Sequence, residues 1–148
     1  MNVLVDTNVV ISAVIRDRLP QRVIDEIVAR DDWFWIVTTE IETEYREVLA
    51  HPKFKVSAAI QQRRLALVEE ITVRVSPATP PPFPRDPKDE LFIAAALASN
   101  ADFLITGDKD LLDEEPLVST QILRPAEFAR LFAIACRSSL DEFLPRPG

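Results

Sequence analysis

The chain opens with a short apolar run, Asn2 to Val5, breaks at Asp6-Thr7-Asn8 and resumes from Val9 to Ile15. A brief apolar segment bounded by polar residues suits a buried strand, and the longer run that follows is dense enough for a buried helix. Thr7 or Asn8 is the expected cap of that helix. Pro20 suits the first position of a second helix, on which Val23, Ile24, Ile27 and Val28 share one face. Phe34 to Thr38 reads as a second buried strand, followed by a helix from Glu40 to Ala50 that must close before Pro52. Ser57 is placed to cap a further helix reaching Glu70, with Ile60, Leu67, Val68 and Ile71 as its inner stripe. Ile71 to Val75 then alternates as a strand does.

Pro77 to Glu90 concentrates half of the chain's 12 prolines. Such a stretch is a stiff, extended connection, and too little chain follows it for a second large domain. Asp86-Pro87 opens a strongly apolar helix, Asp102 to Thr106 is a strand, and Gly107-Asp108-Lys109-Asp110 is a turn. Thr120 to Leu123 forms the last strand before a helix begun by Pro125. A single domain over 1–137 with a flexible tail over 138–148 is the expected organisation. Short apolar strands alternating with helices indicate an α/β domain, a three-layer α/β/α sandwich around a mostly parallel sheet. Open sheets of this kind bind ligands at the carboxyl ends of their strands.

Composition changes this picture little, and charge complicates it. An apolar fraction of 47% with 28% charged residues over 148 residues is ordinary for one globular domain. The longest unbroken apolar run, Leu91 to Ala98, is far short of the roughly 18 residues of a membrane span. No basic segment precedes an apolar one in the manner of a signal peptide. Cys136 is the only cysteine, so no internal disulfide can form and a cytoplasmic location is expected. A net charge of −7 argues against nucleic acid as a partner, since phosphate binding leans on Lys and Arg. Carboxylates gathered around a divalent cation escape that objection, because the loaded site presents a neutral or positive centre.

The strand ends carry the candidate chemistry. Asp6 follows the first strand, Asp108 follows Phe103-Leu104-Ile105-Thr106, and Asp86 and Asp89 approach the apolar helix. If the first strand and the Phe103 strand are neighbours, Asp6 and Asp108 converge, and close like charges disfavour ionisation unless a cation lies between them. Oxygen ligands without nearby His or Cys suit Mg²⁺ or Mn²⁺ rather than zinc. The lone histidine, His51, sits in a helix-ending segment, which weighs against a histidine-based zinc site or a Ser-His-Asp triad. Each acid also has a plainer reading: Asp6 as a helix cap, Asp86 to Glu90 as a helix start, and the Asp108 segment as a polar turn. In the helix that begins near Thr39, a capping box of Thr39 with Glu42 accounts for Glu42. The first turn accounts for Glu40 and a solvated face for Glu47. Glu44 flanks the apolar stripe of Ile41, Tyr45 and Val48 with no capping task, which makes it the candidate to point into a site, although periodicity alone does not exclude Glu42.

These segments, from Val3-Leu4-Val5-Asp6-Thr7-Asn8 through the Glu42 to Leu49 helix and Arg85-Asp86-Pro87-Lys88-Asp89-Glu90 to Asp102 to Leu112, resemble the PIN-domain family. Its best-known bacterial members are the VapC-type ribonuclease toxins of toxin–antitoxin systems. The resemblance implies that Asp6, Glu44, Asp89 and Asp108 form an acidic site for one or two Mg²⁺ or Mn²⁺ ions, with Asn8, Asp86, Thr106 and Asp110 in support. It prefers Asp89 to Asp86 because Asp89 lies nearer the apolar helix, although Ile93 stands one position later than the family pattern. It implies metal-dependent hydrolysis of RNA leaving a 5′-phosphate, a homodimer, and a protein antitoxin as partner. Arg63, Arg64, Arg85, Lys88 and Lys109 are the candidate RNA contacts, with a solvated surface role as the plainer reading for each. A haloacid-dehalogenase-type phosphotransferase would want a second Asp where Asn8 stands, and a response-regulator receiver would want an acidic pair at the first strand end. A degenerate PIN domain that binds protein or RNA without cutting is the remaining alternative.

Overall fold

The structure is a computed structural model that describes residues 1–15, 18–77, 87–112 and 119–134, with the side chains of 87–89 outside that set. Arg85, Asp86, Cys136 and the tail over 138–148 also lie outside the described residues. Five strands form one sheet: β1 (Asn2–Val5), β2 (Phe34–Val37), β3 (Thr72–Arg74), β4 (Phe103–Ile105) and β5 (Gln121–Leu123). Their order is β3-β2-β1-β4-β5, and every pairing is parallel. Among the described residues, seven α-helices connect and cover them: α1 (Thr7–Val14), α2 (Arg18–Ala29), α3 (Thr39–Leu49), α4 (Ala58–Ile71), α5 (Pro87–Ser99), α6 (Lys109–Leu112) and α7 (Pro125–Leu131). The result is the expected α/β/α architecture. The chain runs outward from β1 through β2 to β3, then returns to the other side of β1 for β4 and β5. That reversal opens a crevice beyond the carboxyl ends of β1 and β4.

The central strand reads as it does because both of its faces are covered. Val3, Leu4 and Val5 have no exposed surface, nor have Leu104 and Ile105 on the neighbouring strand. Burying each such side chain contributes about 1.5–3 kcal/mol, so an apolar run without alternation is what this position demands. Trp33, Phe103, Phe128 and Phe132 cluster with centroids 4.7–5.6 Å apart, meeting edge to face except for the tilted Phe128–Phe132 pair. These rings dock α7 and leave the β1 and β4 carboxyl ends to other work.

Several local expectations give way to tertiary structure. Helix α1 begins at Thr7, and Asp6, rather than Thr7 or Asn8, is the residue at its N-cap, with φ −60° and ψ 145°. Helix α2 begins at Arg18, two residues before Pro20, which remains within the first turn where no amide partner is needed. Thr38, not Thr39, caps α3, accepting a hydrogen bond from the Ile41 amide at 3.1 Å. Ser57 does cap α4, but of its predicted inner stripe only Val68 is buried, while Ile60 and Leu67 are each 43% exposed. Val28 on α2 is exposed as well. Ile60 and Leu67 are apolar yet turn outward because α4 packs chiefly against α3 and not against the central strands.

Candidate functional site

Asp6 ends β1 and starts α1 at once. Its amide still donates to Ile105 O at 2.8 Å, which continues the β1–β4 pairing, while its carbonyl accepts from the Val9 and Val10 amides as the helix begins. The carboxylate makes no capping hydrogen bond and is 6% exposed. It instead accepts a hydrogen bond from the Thr106 hydroxyl at 2.6 Å. The Thr106 oxygen in turn accepts from the Asp108 amide at 3.0 Å, so one fully buried threonine ties both strand-end acids together. Asp108 then accepts from the Asp110 amide at 2.9 Å through Oδ1, which opens α6 where a plain turn was expected.

The residues on either side of Asp6 hold the neighbouring helix. Val5 O accepts a hydrogen bond from the buried Tyr45 hydroxyl, and Thr7 Oγ1 donates to Glu44 Oε2 at 2.6 Å. Helix α3 is thereby pinned by two consecutive residues, 44 and 45, to the two neighbours of Asp6. This clamp turns Glu44 towards the crevice. Burial pushes the Asp6 carboxyl above its ordinary value of 3.8, and the carboxylates of Asp108 and Glu44 push it further. The Thr106 hydroxyl and the Asn8 amide oppose that rise. Among the described residues, no lysine or arginine acts on Asp6. Burial also pushes the Tyr45 phenol up, so this hydroxyl remains a hydrogen-bond donor at any ordinary pH.

Asp6, Asn8, Glu44 and Asp108 line one cleft. The predicted members Thr106 and Asp110 act from behind it, Thr106 through Asp6 and Asp110 through its backbone amide. Lys88 and Asp89 lie in the first turn of α5, but their side chains are outside the described residues. Lys109 is exposed beside Asp108. Arg63 and Arg64 line a different depression, with Ala13, Val14, Arg18 and Ile60, and not the cleft of the acids.

The residues that sequence reasoning assigned elsewhere are instructive. Glu42 does not serve a capping box; it is buried and ion-paired with Arg74 of β3. Glu47, read as a solvated residue, lines the cleft together with His51, Lys53 and Phe54. A signal for this was present, since residues 44, 47, 48 and 51 recur at helical spacing on one face. Thr7 was read only as a cap; its hydroxyl orients Glu44.

A family model described as the PIN domain matches residues 2–110, well over half of the chain. The chain belongs to the PIN-domain family. No curated protein matches it. PIN domains are generally nucleases that use divalent metal ions, so the fit of this site to such an ion matters. The donor set facing the cleft fits in kind: oxygen atoms of several carboxylates, one of them buried with no positive partner among the described residues, which suits a hard cation. It is not drawn tight, because among the described residues no three His, Cys, Asp or Glu side chains are close enough to hold an ion together. No helix among the described residues of this PIN domain is long and apolar enough to cross a membrane.

Proposed function

We propose that this PIN domain hydrolyses phosphodiester bonds in RNA with one or two Mg²⁺ or Mn²⁺ ions held by Asp6, Glu44 and Asp108, with Asp89 as the fourth ligand. The observation that carries the reading is Asp6: a buried carboxylate at the reversal point of the sheet, facing two further carboxylates and, among the described residues, paired with no cation. Burying such a group is costly unless something positive compensates it. The bound ion would supply a more acidic water and positive charge against the phosphate. Thr106 fixes one oxygen of Asp6, leaving the other for the ion, and Thr7 does the same for Glu44. Asn8, exposed on the cleft wall, provides an amide for a phosphate oxygen. Asp86 and Asp110 remain supporting members.

The narrower biological role, a toxin restrained by a protein antitoxin and acting as a homodimer in the cytoplasm, rests on the resemblance to VapC-type toxins. The spread of the carboxylates favours one rival, a PIN domain that binds RNA without cutting it. End-labelled RNA incubated with the protein in Mg²⁺, Mn²⁺ or excess chelator decides between them. The nuclease reading expects cleavage in either metal, none in chelator, and recovery on adding the metal back. Intact RNA under all three conditions, with binding retained, would establish the rival.

A further inference from the structure

A second opening lies away from the acidic cleft and shares no lining residue with it. Trp35 and Tyr45 are its buried floor, and its walls are Val14 of α1, Ile24 and Val28 of α2, and Leu67 and Val68 of α4. Val28 and Leu67 are large and apolar, yet 45% and 43% exposed. Ile60, also 43% exposed, carries the rim into the adjoining depression of Arg18, Arg63 and Arg64. Val14, Gln21 and Arg64 line both hollows, so one continuous groove is apolar along its length and basic at one end. The three arginines are exposed, and none of the ion pairs among the described residues uses them. Among the described residues, Asp25 on the α2 wall is the only acid on the lining. Single exposed apolar residues need no explanation, but three on the rim of one groove mark a surface for another apolar segment.

The chain itself carries a segment of matching pattern. Leu140, Phe143 and Leu144, which lie outside the described residues and beyond the stretch matched by the PIN-domain model, have the i, i+3, i+4 spacing of one helical face. Ser139 with Glu142 three residues on has the sequence of a capping box, and Pro145 stops the pattern. Asp141 and Glu142 bring two negative charges to it. The described chain also leads towards the groove. Helix α7 packs against α2, and the Phe132 ring lies 6.0 Å from the Arg30 guanidinium, two residues beyond the groove-lining Val28. From Ile134 to Leu140 an extended chain reaches at most about 20 Å, enough to pass over one helix about 10–12 Å wide. We infer that residues 139–144 dock as a short helix in this groove of their own chain, in place of the flexible tail expected from the sequence. Leu140, Phe143 and Leu144 cover Val28 and Leu67, and Asp141 and Glu142 meet Arg63 and Arg64. So short a helix forms only when packed, and three large apolar side chains on one face supply that packing. The inference stands independently of the nuclease reading.

Two measurements on the full chain test it. In the first, Cys136→Ser removes the only native thiol, and Arg64→Cys with Glu142→Cys places one thiol on each side of the expected contact while keeping the apolar residues. Mild oxidation should give a faster-running monomer on a non-reducing gel, at a rate independent of protein concentration. Glu142→Cys paired with Glu40→Cys, an exposed position at the start of α3, should oxidise at least about tenfold more slowly. Disulfide-linked dimers instead of the internal bond would give the groove to a second copy and overturn the proposal, as would equal rates in the control. In the second, amide hydrogen exchange over 141–144 should be slowed about 10- to 100-fold relative to a free peptide of the same sequence. Phe143→Asp on the tail and Leu67→Lys on the exposed rim should each abolish the slowing, with the fold intact by circular dichroism. Exchange as fast as in the free peptide, or slowing that survives Leu67→Lys, would overturn it.

Discussion

Among the described residues, two carboxylates are buried along the carboxyl rim of this sheet, and they have opposite surroundings. Glu42 is 4% exposed near the ends of β2 and β3, and Arg74 from β3 pairs with its Oε2. A second arginine, Arg46, stands 4.0 Å from Oε1. Asp6 is 6% exposed at the ends of β1 and β4, and its neighbours are two hydroxyl-tethered acids and the Thr106 hydroxyl. Burial alone therefore does not mark a site. What separates the two is the partner: Glu42 is paired with arginines of the chain, whereas Asp6 sits among like charges with no lysine or arginine acting on it among the described residues. Glu42 secures α3 to β3, and Asp6 faces the cleft.

The comparison is most exposed to Asp6→Asn. RNA cleavage should fall by at least about 100-fold, the upper range for groups that merely support ligands, while the melting temperature stays level or rises. Retained cleavage in a gel assay would place Asp6 with Glu42 as a structural group. Next in size is Thr106→Val, which removes the hydroxyl that serves Asp6 and the Asp108 amide while keeping the shape. Cleavage should drop about 10- to 100-fold in kcat with the fold intact by circular dichroism.

Arg74→Ala should behave in the reverse way. Glu42 would be left buried with only a distant arginine, at a cost of about 1–3 kcal/mol. The Arg74 side chain is 56% exposed, which puts the effect at the lower end. Urea unfolding should show it, and cleavage per folded molecule should not change. The smallest effect is on pH dependence in chelator. Because folding raises the Asp6 value above 3.8, its contribution to stability is fully present below 3.8 and is lost as pH rises through the folded value. Wild type should thus lose stability relative to Asp6→Asn as pH rises above about 4, and added Mg²⁺ should abolish the loss. Parallel curves in chelator would mean that Asp6 is no more strained than an exposed acid.

Legibility followed the range of the interactions. The strands were readable because a central parallel strand must be apolar on both faces, as Val3 to Val5 are. Asp6 and Asp108 were visible because their type breaks that pattern at a strand end, and Glu44 because no local role absorbed it. Glu42 was misassigned because a capping box is a local pattern, while its actual partner Arg74 lies 32 residues away. The stripe of α4 was misassigned because periodicity gives a face and not what that face meets; Ile60 and Leu67 stay exposed because α4 packs chiefly against α3.

By itself, the sequence determined the α/β layering, the acids at the strand ends and the membership of the PIN-domain family, since these depend on residue type and spacing. Only the tertiary structure decided which acids share a cleft. The β1–β4 pairing brings Asp6 to Thr106 across 100 residues, and Thr7 and Val5 clamp α3 so that Glu44 and then His51, Lys53 and Phe54 face the same opening. Hydrogen bonds between segments so far apart in the chain exist only once the sheet is assembled, and no local pattern encodes them.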